Sequence, residues 1–521
     1  MGHIGTPGYA IDARSARCAA RWSVPIVALA ILTLAFGGMA MGRLVDQDEG
    51  FYLLAARLSL EGKHPYIDFF YPQMPLLPYL YGWWMAVAGV SWMAARSFSA
   101  ACSVILGALL YWRLAREPGT AVAGLLGVVL FVSSSLALGW FPLVKPHALS
   151  TLLLFASWLA MEHRSRAPDR MALGLAGAML GLAIDTRLIL AGTVPAFLVG
   201  CWQGRQTWPE RRQALGWFMG GLALTLSPNL WFMARDLNTF AFDNLGYHMI
   251  RVEGATGSAL WQRAEILLQL LGVPLVETRG SLQFSILAAL TLWARLRLRS
   301  PDGGNPLNFN VVASLFVVSC LPSPIHLQYF SVMVPFLIFA GIKALPVALG
   351  SLKRPAGVNT TPRAKTLLLI ALIAYLAPAP LDVYRFTVQG YDVPGIWGPI
   401  RAAGWTVRAV REVSTEIDRR TQSGEVIISW WPGYLVETHA TILPGTENQF
   451  GVDVGSKLDG AGRVRRKVLS AEEISRQIGE GRVRVVLSGS SNFMDWTRAL
   501  GRDSGYVLVT RIGDADLYVR Q

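Results

Sequence analysis

The sequence predicts a mainly α-helical protein, a polytopic bundle of about 10 to 12 membrane spans followed by a small α/β domain. Three observations carry that expectation. Apolar runs recur between residues 22 and 380, many near the ~20 residues that cross a bilayer as a helix. Only 16% of the 521 residues are charged and 53% are hydrophobic, too apolar for one soluble domain of that length. Beyond Asp382 the long runs stop, and short strands and amphipathic segments replace them.

Residues 1–20 are polar and read as a cytoplasmic tail, and residues 21–385 as the membrane domain. Arg14, Arg17 and Arg21 precede Trp22–Gly42, which has no charge. That run is too long for the apolar core of a cleaved signal, so it reads as an uncleaved first span with a cytoplasmic N-terminus. The loop 43–74 then faces outside. Further runs lie near 75–91, 97–114, 119–141, 147–162, 171–184, 187–202, 214–233, 264–276, 281–294, 309–321, 327–349 and 365–380. If each crosses once, Arg113/Arg116 and Arg164/Arg166/Arg170 cannot all face the cytoplasm, so one segment is expected to be a half-span packed against protein.

The last part, residues 400–521, reads as a soluble α/β domain on the outer, periplasmic side. Trp405–Arg420 has the pattern of an amphipathic helix. Glu425–Trp430, Val483–Ser488, Tyr506–Arg511 and Asp516–Val519 read as strands, and Ser470–Glu480 opens with a Ser-x-x-Glu helix cap. Pro432-Gly433-Tyr434 and Leu443-Pro444-Gly445 are turn signals.

Charge and cysteine usage exclude several functions. The net charge is +13, but residues 401–521 hold 17 Lys+Arg against 15 Asp+Glu, leaving 30 against 19 in the membrane part. Basic residues between apolar spans set topology and meet anionic lipid, so the high pI points to the bilayer and a lipid phosphate and away from nucleic acid. Cys18, Cys102, Cys201 and Cys320 are far apart with no metal-ligand spacing and read as small apolar residues.

The most informative stretch is Val45–Tyr52, which puts Asp46, Asp48 and Glu49 directly after the first span. Carboxylates there are consistent with a helix cap. They are equally suited to catalysis, with Asp48 as a general base and Glu49 as an acid that orients it. Asp48, Glu49 and His64 are thinkable metal ligands, but their spacing is not diagnostic, so no metal or other cofactor is expected.

The motifs continue in order. Asp48-Glu49-Gly-Phe-Tyr-Leu-Leu-Ala-Ala is followed by Gly62-Lys-His-Pro65-Tyr66-Ile-Asp68 and Pro72-Gln-Met-Pro75-Leu-Leu-Pro78-Tyr79. Gly89-Val90-Ser91-Trp-Met-Ala-Ala-Arg96, Gly181-Leu-Ala-Ile-Asp-Thr-Arg187 and Gln328-Tyr329-Phe330-Ser-Val-Met-Val-Pro335 come later. Over roughly residues 20–350 this series resembles the GT-C glycosyltransferases, in the branch of protein O-mannosyltransferases, aminoarabinose transferases and rhizobial lipopolysaccharide sugar transferases. The resemblance implies a GT-C bundle whose first outer loop carries the active site. It also implies sugar transfer from a polyprenyl-phosphate donor to an envelope acceptor (lipid, glycan or protein), at the inner (plasma) membrane with the site facing the periplasm. Family members often carry a basic residue before the paired prolines; Gln73-Met74-Pro75 has none.

Such a donor needs cations for its leaving phosphate, and Lys63, Lys145, Arg187 and Arg251 are the candidates. Each has a plainer reading. Lys145, at the start of an apolar run, suits a snorkelling residue. Arg187 suits an ion pair with Asp185, and Arg251, three residues from His248, suits a solvated loop. Tyr66, Asp68, His248 and Tyr329 complete the candidate substrate contacts, with Asp68 better suited to bonding backbone amides. Direct attack at the anomeric carbon would invert it. A transporter or flippase for lipid-linked sugars is the alternative, and it would call for inverted repeats that the sequence does not display. A membrane scaffold whose outer domain binds a partner is a third.

Overall fold

A computed structural model describes residues 13–521 apart from 117–119, 163–168, 204, 206, 251–255, 272, 274–281, 298–305, 349–361, 391–398, 490–498 and 501–503. The expected helical bundle with a small C-terminal sheet is what forms. Among the described residues, Ser23–Gly42, Trp92–Leu114, Leu327–Leu345 and Lys365–Gln389 are long and apolar enough to cross a bilayer. Shorter apolar helices cover Ala121–Ser133, Leu188–Trp202, Leu282–Trp293 and Leu307–Ser319. The runs near 147–162, 171–184 and 214–233 fold as Pro146–Glu162, Arg170–Thr186 and Trp208–Leu226, the last followed by Asn229–Ala241.

Arg170–Thr186 and Trp208–Leu226 lie almost backbone to backbone. A Cβ on Gly177 would stand 1.9 Å from the Phe218 carbonyl oxygen, and one on Gly221 would stand 2.0 Å from that of Gly174. Small residues at such crossings replace the hydrophobic drive that lipid does not supply. This packing fixes the end of Arg170–Thr186, from which Arg187 projects.

The run 75–91 forms a shorter helix than its apolar stretch suggests. It folds as Leu76–Ala88, a helix of 13 residues, and packs beside Gln47–Leu60, the helix of the acidic loop. Both of its ends stay near the loop. His64 Nδ1 lies 2.9 Å from the Tyr79 hydroxyl, and Trp84 Nε1 donates to the Ala94 carbonyl at 2.8 Å. The next helix begins at Trp92, whose amide donates to Glu437 of the C-terminal domain at 2.8 Å. Trp92–Leu114 therefore starts on the loop side and carries Arg113 to the opposite end, where it pairs with Glu162 at 2.5 Å. Arg113 and the end of Pro146–Glu162 thus lie at the same end of the bundle.

The C-terminal sheet has the order β2-β1-β3-β5-β4, with β1 Val426–Ser429, β2 Thr441–Ile442, β3 Val485–Gly489, β4 Tyr506–Ile512 and β5 Ala515–Arg520. β1 runs parallel to β2 and β3, while β5 is antiparallel to β3 and β4. All of β3 is buried. The amphipathic helix forms as Val407–Asp418. The Ser470 cap forms as expected: its hydroxyl accepts from the Glu473 amide at 3.2 Å, and Glu473 Oε2 accepts from the Ser470 amide at 2.9 Å. Strand β2 and the helices Gln449–Gly455 and Gly460–Arg466 were not expected; each is short, and none carries a clear apolar period.

This domain sits directly on the acidic loop. The Val45 amide donates to the Trp405 carbonyl at 2.6 Å, and Trp431 Nε1 donates to the Gln47 carbonyl at 2.8 Å. Trp431 also stacks on Trp92 with ring centroids 5.7 Å apart. Gly50 permits the approach, because a Cβ there would lie 2.6 Å from the Trp431 ring.

Candidate active site

Gln47–Leu60 begins at Asp46, which is in extended conformation and caps the helix. Asp46 Oδ1 accepts from the Asp48 amide at 3.0 Å, and Glu49 Oε2 accepts from the Asp46 amide at 3.0 Å. This reciprocal cap turns Asp48 and Glu49 in different directions.

Glu49 points into the bundle. Arg96 bonds it twice, from Nε at 2.9 Å and from Nη2 at 2.6 Å, and both side chains are fully buried. The Val144 amide adds a bond to Oε1 at 3.0 Å. Burial would raise the Glu49 carboxyl, but Arg96 and these bonds hold it below the usual carboxylate range. Arg96 also donates to the carbonyls of Ala40, Arg43 and Leu44, tying the end of the first span to this point. Glu49 thus ties the helix start, Arg96 and the Val144 loop together, with its carboxylate turned away from Asp48.

Asp48 points the other way. Lys145 Nζ lies 2.8 Å from Asp48 Oδ2 and 2.7 Å from Asp46 Oδ1. Asp48 keeps 29% of its side chain exposed, against 2% for Lys145. Lys145 also donates to Gln328 Oε1 at 3.3 Å and lies 5.2 Å from the centroid of the Trp140 ring. Burial works against the ammonium, but the two carboxylates outweigh it and hold its pKa above the usual lysine value. A snorkelling role for Lys145 is therefore not what forms.

Arg187 approaches from the far side of the same cluster. Its guanidinium lies 4.9 Å from the Tyr329 ring centroid, and Nη1 is 3.5 Å from His147 Nδ1. Gln328 and Tyr329 adjoin in sequence, as do Lys145 and His147 across Pro146, so the two contacts interlock. Tyr52, one turn beyond Asp48, is buried within electrostatic reach of Asp48, Arg187 and Tyr329. Asp185 turns aside to accept from Asn229 Nδ2 at 2.9 Å, so the expected Asp185–Arg187 pair is replaced by an Asn contact.

Comparison with known proteins bears on this arrangement. A family model described as dolichyl-phosphate-mannose-protein mannosyltransferase matches residues 63–232. No curated protein sequence matches the chain. The apo crystal structure of ArnT from Cupriavidus metallidurans aligns with a TM-score of 0.65 at 13% identity, covering 96% of this chain and 98% of that one. The same protein bound to undecaprenyl phosphate gives 0.62 at 13% identity, with 95% and 97% covered. A cryo-EM structure of a variant of the arabinofuranosyltransferase AftD from Mycobacteria gives 0.51 at 15% identity, with 96% of this chain and 41% of that chain covered. The fold is GT-C.

On this GT-C scaffold the remaining candidates fall elsewhere. Lys63 follows the far end of Gln47–Leu60, about 20 Å along the axis from Asp48 at ~1.5 Å per residue. It lies within reach of Glu447 in the C-terminal domain, whose carboxyl burial pushes up to about 7. Asp68 Oδ2 accepts from the His64 amide at 2.7 Å, a turn-holding bond. Tyr66 is buried edge-on to Phe232 and Phe240, at 5.3 and 5.1 Å, and its hydroxyl donates to the Gln73 carbonyl. His248 is exposed beside Tyr247, whose ring packs on Phe70. Nearby Asp243 accepts from the Tyr71 amide at 3.2 Å, and burial raises its carboxyl well above the usual range. Arg251 lies outside the described residues.

Asp46, Tyr52, His147 and Gln328 join the cluster without having been singled out for it. Asp46 had a readable signal: Asp46-x-x-Glu49 has the spacing of a capping box. The others are single polar or aromatic residues within apolar or mixed stretches, and only their neighbours in space mark them.

Proposed function

We propose that this protein transfers a sugar from a polyprenyl-phosphate donor to an acceptor of the cell envelope, with inversion at the anomeric carbon. The observation that carries this reading is a part-exposed carboxylate, Asp48, paired with buried Lys145, with a second buried cation, Arg187, in the same cluster beside Tyr329 and His147 of a GT-C bundle. Asp48 takes the proton of the acceptor hydroxyl as its oxygen attacks the anomeric carbon. The bond from that carbon to the phosphate oxygen breaks, and the lipid phosphate leaves. Lys145 and Arg187 stabilise the charge that develops on it. The bound undecaprenyl phosphate of ArnT supports a lipid phosphate as the donor's carrier. The basic far end of the bundle supports a plasma-membrane orientation with the acidic loop and the C-terminal domain outside.

The test compares envelope lipids and glycans from cells with the protein, without it, and with Asp48→Asn. One sugar-bearing species should disappear in the last two, while the variant inserts in the membrane at the normal level. Near-normal transfer by Asp48→Asn would remove the base assignment.

A further inference from the structure

We propose that Lys145 is a built-in cation that stands where a divalent metal would bridge carboxylate and lipid phosphate, with Asp46 as the positioning residue that anchors it. This rests on the reading of the site as one for a lipid-phosphate donor. Divalent ions in phosphate sites are commonly held by one or two carboxylates and by the substrate phosphate itself. Here two carboxylates one turn-start apart, Asp46 and Asp48, converge on a single ammonium at 2.7 and 2.8 Å. Its third contact is Gln328 Oε1 at 3.3 Å. An ammonium has three donors and no acceptor, so these three oxygens saturate it, and a metal between the carboxylates would have to displace a positive charge.

The position of Lys145 is not left to a flexible stem. The preceding amide, of Val144, donates to Glu49 Oε1, and the Lys145 amide donates to the Leu143 carbonyl at 2.8 Å. Pro146 then opens the next helix. The buried Glu49 anchor therefore fixes both the helix start that bears Asp46 and Asp48 and the loop that bears Lys145. Asp46 is 1% exposed, and its Oδ2 has no hydrogen-bond partner among the described residues. Its Oδ1 meets both the ammonium and the Asp48 amide. Of the two carboxylates, Asp48 is the accessible one. An incoming phosphate can take its place on Lys145 while Asp46 keeps its hold, and Asp48 is then released to act as base.

The experiment uses the full chain in nanodiscs, titrated with MnCl2 by electron paramagnetic resonance and with undecaprenyl phosphate in EDTA. The wild type is expected to bind no Mn²⁺ tighter than about 1 mM, and EDTA should leave its undecaprenyl phosphate affinity unchanged. Lys145→Ala should lose roughly 10- to 100-fold in that affinity, the range of one charge-assisted bond. It should also gain a Mn²⁺ site, and added Mn²⁺ should restore most of the loss. The double variant Lys145→Ala/Asp46→Asn should lose the gained site, although Asn caps a helix as well as Asp. A merely structural Asp46 would leave that site in place. Asp46→Asn alone should keep its Tm while its undecaprenyl phosphate affinity falls, which tests the anchor even if Lys145→Ala does not fold. Mn²⁺ binding by the wild type, or EDTA-sensitive lipid binding, would overturn the proposal. A wild type that ignores undecaprenyl phosphate would instead end the lipid-phosphate reading, and the Mn²⁺ titrations would still decide what Lys145 does.

Discussion

Two buried ion groups start from adjacent residues, and they are built differently. Glu49 and Arg96 form a closed network in which both carboxylate oxygens are bonded and neither side chain meets solvent. Asp46, Lys145 and Asp48 form an open one. It has two acids for one ammonium, an orphaned Oδ2 on Asp46 and a partly exposed Asp48. A closed network of this kind holds a fold, because removing one member strands a buried charge. An open one retains capacity for a ligand, and such unbalanced groups collect at functional sites. The same helical turn thus supplies an anchor and a reactive group, and the anchor holds the reactive group in place.

Substitutions can break this contrast. The largest effect expected is on transfer: Asp48→Asn should lower the rate by about 10²–10⁴-fold, the range of one general base, with unfolding in detergent unchanged. Arg96→Ala should do the reverse, costing about 3–5 kcal/mol in stability by leaving Glu49 buried and unpaired. Denaturation monitored by intrinsic tryptophan fluorescence would measure it. A stable Arg96→Ala would mean that the closed network is not an anchor. Gly50→Ala should cost about 1–3 kcal/mol by overpacking against Trp431, and limited proteolysis should then cut between the bundle and the C-terminal domain more readily. The smallest effect belongs to Arg465→Ala. It removes a solvent-facing pair with Asp236 at 2.9 Å, and such pairs contribute under about 1 kcal/mol.

Much of the fold was legible from composition and periodicity. The apolar runs marked nearly every helix between residues 76 and 376, and period-two stretches marked four of the five strands among the described residues. The helix at 75–91 is instructive. Hydropathy marks an apolar helix but not the element it packs against. Leu76–Ala88 packs along the acidic loop's own helix, with His64 against Tyr79 and the start of Trp92–Leu114 against Trp84. The candidate site was half legible. Asp48, Lys145, Arg187 and Tyr329 stood out as polar groups in apolar or interfacial surroundings, and they converge. Lys63 looked equivalent in sequence, but the rigid length of one helix carries it away. Glu49 looked like a partner to Asp48 because they adjoin, yet neighbours on a helix point about 100° apart.

By itself the sequence determined the class of molecule, since apolar runs of bilayer length and a mixed tail leave few other architectures. It also determined which residues carry unusual charge for their surroundings. Which of those charges meet depends on long-range packing. Lys145 reaches Asp46 and Asp48 across nearly a hundred positions because the Glu49 carboxylate binds the helix start and the Val144 loop at once. Pairing of that range follows from packing and from the satisfaction of buried donors, which no local pattern encodes.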